Sequence, residues 1–279
     1  MARLSKEEWI KQNKEDREMA VKIRDNESNK VAESTAELIK YLDVQTRFEP
    51  YSVGNCLLIT AMKPDAIQCR EEAEWSKRGY PIRDDRSPIL ITEATAPKIM
   101  EDGTTQTRFN TKRVYDITQT SAPLPEKEEI ISNKELLSGL LKASPINVNP
   151  VEDVGKEGKF VLYNSETNQI DVCRGKDVNF LIQDFVTEVA KYHLSKMENI
   201  NKESIPFKAT CICYMFCKKY NIPFPKDNFE NQRNLISGEG KEVRKELATI
   251  KDLYVKIKSE MTVEIERLSQ KDKSKEQVR

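Results

Sequence analysis

The chain has 279 residues, close to twice a typical domain length, so two modest domains are expected rather than one. Its 46 basic and 46 acidic side chains leave a formal net charge of zero, which excludes both a strongly basic nucleic-acid coat and an acidic DNA mimic. With nine glycines, no glycine-rich phosphate loop and a single histidine, His193, neither a nucleotide-cradling enzyme nor a two-histidine zinc site is expected.

In chain order, the polar start carries Ser5 and Glu8 at capping-box spacing, predicting a thinly apolar helix to about Arg24. Val31, Leu38, Ile39 and Leu42 recur at three and four residues and predict a second helix from about Ser28 to Asp43. Pro50, tolerated in a first helical turn, predicts a third helix over Tyr51 to Met62. A short helix from Glu71 to Arg78 carries Trp75 and ends at Gly79. Strands are expected near 88–92, 98–100 and 107–117, with a turn at Glu101, Asp102 and Gly103. Pro123 and Pro125 mark a linker, which places a boundary at residue 128.

The second unit, 129–236, opens with a helix at 133–143, followed by a hairpin whose strands are 160–163 and 169–172. Helices at 178–197 and 204–220 come next. The terminal piece, 237–279, is a charged helix with Val243, Leu247, Ile250, Tyr254, Ile257, Met261 and Leu268 on one stripe, and its residues beyond Gln270 are expected to fray. Glu264 interrupts that stripe, favouring a helix that folds back and a monomer over a dimer. The fold class is therefore α+β with two domains, the first made of helices with a small antiparallel sheet.

Six cysteines without a disulfide framework and a polar stretch from Met1 to Arg17 point to reduced thiols in a cytoplasm, and no run is long enough to span a bilayer. Cys213 and Cys217 share a helical face whereas Cys211 does not, so the three read as buried core thiols. His193 reads as a core or solvent-facing residue.

Nucleic-acid chemistry is concentrated in the first domain. Tyr51 and Asn55, four apart, would share a face of the third helix, and Arg47, Lys63, Trp75, Lys77, Arg78, Arg83 and Arg86 interleave cations with an aromatic ring; the candidate nucleic-acid-binding residues are Arg47, Tyr51, Asn55, Lys63, Trp75, Arg78, Arg83, Lys112 and Arg113. Flipped-out bases stack on such rings while cations neutralise phosphates. Composition alone favours Tyr51 and Trp75 in the core, with the cations on a solvated face.

The run Tyr51-Ser-Val-Gly-Asn55-Cys-Leu-Leu-Ile59, followed by Pro64-Asp-Ala66, Trp75-Ser-Lys-Arg-Gly79 and Val114-Tyr-Asp-Ile-Thr-Gln-Thr120, resembles the N-terminal single-stranded-DNA-binding domain of ArdC-type antirestriction proteins, in their LtrC-like branch. The resemblance covers about residues 30 to 121, and Asp84-Asp85-Arg86 departs from the family's Gly-Glu-Lys. The second domain resembles that family's zincin-like metallopeptidase half, with Thr187 and Lys191 at the two histidine places and Glu188 at the general-base place. The later helix, around Lys208 to Cys211, has no acidic third ligand. The resemblance implies a degenerate, non-catalytic peptidase scaffold with no metal and no cofactor. It also implies a single-stranded-DNA-binding protein of a mobile element or phage that protects DNA against host defence. The alternative is a protein-interaction module whose degenerate scaffold binds a host-defence or conjugation protein.

Overall fold

The computed structural model describes residues 5–83, 86–100, 105–106, 109–126, 131–225, 227–230, 236 and 238–276. The expected turn at 101–103 and Asp84 and Asp85 lie outside them. The chain divides into two compact units, Met1–Lys127 with Ser237–Lys245, and Glu128–Ile236 with Glu246–Arg279. The terminal piece 237–279, set apart by the sequence pattern, is thus split between the two.

In the first unit, α1 (Lys6–Glu33) starts at the expected capping box between Ser5 and Glu8 but runs nine residues past Arg24. No proline or glycine lies before Ser34, whose extended backbone ends α1 and whose side chain accepts from Glu37 N–H to start α2 (Thr35–Arg47). The third helix, α3 (Val53–Met62), begins two residues later than Pro50 and Tyr51 imply, because Ser52 takes the N-cap and its hydroxyl accepts from Asn55 N–H at 3.2 Å. Tyr51 therefore precedes the helix and does not share a helical face with Asn55.

Strand β1 (Cys69–Glu71), absent from the sequence expectation, leads into α4 (Glu72–Lys77) and pairs antiparallel with β5 (Phe109–Asp116). On its other side β5 pairs antiparallel with β2 (Ile89–Ala94), giving the order β1-β5-β2. The two-residue strands β3 (Lys98–Ile99) and β4 (Thr105–Gln106) pair separately. The helices cover this sheet through Ala20, Leu58 and Leu90, all buried, with Ile23 and Met62 against them.

In the second unit, α5 (Asn133–Lys142) is followed by β6 (Val148–Val151), β7 (Val161–Asn164) and β8 (Gln169–Cys173). The hairpin of β7 and β8 matches its expected position, while β6, which holds Pro150 and lies at the sheet edge, joins β8 in parallel. Helices α6 (Val178–Ser195) and α7 (Ile205–Lys219) pack on one another, and a single turn, α8 (Asp227–Glu230), follows. The last helix, α9 (Lys241–Glu276), extends beyond Gln270, where the sequence composition favours fraying. Its stripe is buried from Val243 to Met261, so the helix is covered within the chain. Gly139 of α5 permits close approach, since a Cβ there would stand 2.6 Å from Ile265 Cγ1.

Candidate functional site

All nine residues that the sequence pattern singles out fall in the first unit, but many of them are engaged internally. Asn55 is buried, and its amide forms a three-bond clasp on β2: Nδ2 donates to Thr92 O at 2.9 Å, while Oδ1 accepts from Thr92 N–H at 2.8 Å and from the Thr92 hydroxyl at 3.0 Å. This buried side chain pins α3 to the sheet, with its oxygen fully engaged and one amide proton spent on Thr92. Trp75 is 2% exposed, its Nε1 donates to Tyr115 O at 2.8 Å, and the Arg70 guanidinium sits over its ring. A ring held this way is core and cannot stack on a flipped base. Tyr51 is half-buried beside Phe48, with ring centroids 5.4 Å apart, and burial raises its hydroxyl above the ordinary tyrosine value.

The cations divide into two groups. Lys112 bridges Glu71 and Glu93 at 2.8 Å each, and these hydrogen bonds raise its pKa well above the usual lysine value. Arg113 holds both oxygens of Asp16 on α1, at 2.7 and 2.8 Å. Lys63 reaches both oxygens of Asp65, at 3.0 and 2.9 Å, and keeps that carboxyl below its usual range. Arg47 donates to the backbone carbonyls of Ala66, at 3.0 Å, and of Pro64, which ties the 64–66 turn to the end of α2. At Lys112, Arg113 or Lys63 a phosphate would meet a charge already neutralised by a carboxylate.

Lys77, Arg78, Arg83 and Arg86 are different. Each is exposed, and none makes a side-chain hydrogen bond or ion pair among the described residues. Gly79, at φ 82°, turns the chain after α4 in a conformation that L side chains rarely adopt. Gln119 then holds the following segment in two places: its carbonyl accepts from Arg83 N–H at 2.9 Å, and its Nε2 donates to Ser87 O at 2.8 Å. Gln119 is itself placed by Asp116, whose N–H it accepts at 2.8 Å and whose buried carboxylate takes the amide protons of Ile67, Gln68 and Thr118. The Val114 to Thr120 motif thus bonds the backbone at Arg83 and at Ser87. Arg86 and Lys63 line a common cleft of about 460 Å³ with Ser87 and Gln119. The sequence pattern counts Lys77 and Arg86 among the interleaved cations but does not single them out as binding residues.

In the second unit, α6 presents Asp184, Thr187, Glu188 and Lys191. Glu188 is buried, its Oε1 pairs with Lys191 Nζ at 2.7 Å, and its Oε2 accepts from Tyr163 N–H at 3.2 Å. One turn earlier, Asp184 takes Lys159 Nζ at 2.7 Å and Phe160 N–H at 2.8 Å. Thr187 donates its hydroxyl proton to Gln183 O at 2.7 Å. A hydroxyl committed to a backbone carbonyl and an ammonium do not form the donor set of a divalent metal. No group of three or more His, Cys, Asp or Glu among the described residues is placed to hold one.

All six cysteines are buried, and Cys213 and Cys217 face one another with sulfurs 3.9 Å apart. His193 is half-buried, with Nδ1 3.4 Å from Lys256 Nζ, and burial together with that ammonium lowers its pKa. Among the described residues no helix is long and apolar enough to cross a membrane.

No family model and no curated protein matches the chain. Among solved structures, the chain is similar to the metal-free crystal structure of the antirestriction protein ArdC from plasmid R388, with a TM-score of 0.55 and 11% identity over 76% of this chain and 85% of that one. The Mn(II)-bound structure of that protein aligns with a TM-score of 0.43 and 12% identity over 79% of this chain and 84% of that one. The chain has an ArdC-like α+β fold.

Proposed function

We propose that the first unit binds single-stranded DNA without strong sequence preference and that the chain serves an antirestriction role on a mobile element. The observation that carries this reading is a set of exposed cations, Lys77, Arg78, Arg83 and Arg86, without side-chain partners among the described residues, with Gln119 bonded to the backbone at Arg83 and Ser87, on an ArdC-like fold. In a chain of zero net charge the overall field cannot hold DNA, so affinity has to come from a few local phosphate contacts. Arg78, Arg83 and Arg86 supply those contacts, and Lys63 adds one at the cost of its Asp65 pair. The half-buried Tyr51 offers the stacking surface. Lys112, Arg113, Asn55 and Trp75 support the domain and do not touch DNA.

The second unit acts without peptidase chemistry. In a metallopeptidase the general base deprotonates a metal-activated water, and Glu188 is instead held by Lys191 and Tyr163. Titration of labelled single-stranded and duplex DNA at several salt concentrations tests the binding. Elemental analysis of protein purified without chelator, with a peptide-cleavage assay, tests the second unit: about one zinc per chain or cleavage overturns this part.

A further inference from the structure

In the second unit a cleft of about 210 Å³ is lined by α6, α7, Lys159 and the segment through Asn228. Two ammonium groups face it from different elements, Lys159 just before β7 and Lys191 near the end of α6. Asp184 is the one carboxylate among the described lining residues. Both of its oxygens already accept, from Lys159 and from Phe160 N–H.

An ammonium carries three donors. Lys159 gives one to Asp184 and Lys191 one to Glu188, each at 2.7 Å, and the two side chains keep 32% and 30% of their surface exposed. Each lysine thus has donors beyond its carboxylate pair and part of its side chain in solvent. The neighbouring amide of Gln183 gives one proton to Pro223 O, and the Thr187 hydroxyl proton goes to Gln183 O. Two ammoniums and one carboxylate give the described lining a net charge of +1, which disfavours a cation, whereas an oxyanion can accept from both lysines in charge-assisted bonds.

We propose that this cleft binds a compact oxyanion, a phosphate or a carboxylate group, between Lys159 and Lys191. The cleft is in the second unit and the site is independent of DNA binding by the first. Its volume admits one such group with a few attached atoms and no folded segment.

Cys213, the sole cysteine among the described lining residues, has its sulfur 3.4 Å from Gln183 O and is buried, so its alkylation reports opening of the fold around the cleft. The full chain is titrated with inorganic phosphate and, separately, with acetate, at constant ionic strength set by chloride. The thermal midpoint and the rate of Cys213 alkylation, mapped by mass spectrometry, are followed together. The expected result is a saturable rise in midpoint with slower alkylation of Cys213. In Lys159→Met and Lys191→Met the half-saturating concentration should rise by about tenfold, the loss of one charge-assisted contact. If Lys191→Met fails to fold with Glu188 stranded, Lys191→Met/Glu188→Gln carries the same test. Response to phosphate alone assigns a phosphate group, and response to acetate alone a carboxylate. No saturable effect of either anion, or an unchanged response in folded lysine variants, overturns the proposal.

Discussion

Lys191 Nζ lies 2.7 Å from Glu188 Oε1 on the same face of α6, and the second oxygen of that carboxylate accepts the amide proton of Tyr163 from the strand beside it. The ammonium neutralises a carboxylate that is only 4% exposed, and the strand amide orients it. Breaking a buried pair from one side costs about 3–5 kcal/mol, and with Lys191 partly in solvent this falls to about 1–2 kcal/mol. Lys191→Met should destabilise by that amount. Lys191→Met/Glu188→Gln should recover most of it, giving a clearly non-additive cycle in denaturant unfolding.

Trp75 and Asn55 are predicted to behave as stability residues. Trp75→Ala should cost about 3–5 kcal/mol, the usual range for a buried large aromatic. Asn55→Ala should cost about 1–3 kcal/mol by leaving the Thr92 N–H and C=O without their partner. Circular dichroism and urea unfolding on each variant check this, and a folded Trp75→Ala protein with normal stability would contradict the packing.

His193 is the chain's single histidine, so one ring resonance reports it. Burial and Lys256 lower its folded pKa below the ordinary value of 6.5. Protonation is then harder in the folded than in the unfolded state, so the stabilising contribution is present above about pH 6.5 and is lost as pH falls toward the folded pKa. Lys256→Met should raise the NMR-determined pKa and flatten stability against pH in that window. An unchanged pKa would remove Lys256 as a cause.

Gly139→Ala should destabilise the second unit by about 1–3 kcal/mol through overpacking, because the new methyl would meet Ile265 of α9. Gly139→Ala/Ile265→Val should recover part of the loss in thermal unfolding. Equal stability of Gly139→Ala and wild type would show that the helices part freely.

Much of the secondary structure was legible because its signals are local. The Ser5 and Glu8 capping box, the hairpin around Asn164 to Asn168 and the stripe of α9 each fall where spacing places them. What was not legible depends on partners far along the chain. Strand β1 is three residues long and exists through β5, more than forty positions away. The break at Ser34 is a choice between two helices that both propagate well, and hydrophobic periodicity runs through it. The binding residues suffered most, because charge is visible in sequence and its neutralisation is not. Arg113 looks identical to Arg83 until Asp16, 97 positions earlier, is found against it. Asn55 looked like a reader of bases because its clasp is with Thr92, on a strand of its own domain.

The most direct measurement is fluorescence anisotropy of labelled single-stranded and duplex DNA against salt, using wild type and two charge variants. If about four cations engage phosphates, the log-log salt slope for the single strand should be about −3, at roughly 0.7 per contact. Arg78→Ala/Arg83→Ala/Arg86→Ala should weaken single-strand binding and flatten the slope by about 2, at the same increment per contact. Lys112→Ala, whose ammonium already holds Glu71 and Glu93, should leave the slope unchanged. Tighter binding of single strand than duplex with this pattern is the predicted result. Equal affinity for both, or a folded triple variant that binds as tightly as wild type with the same slope, would contradict the account.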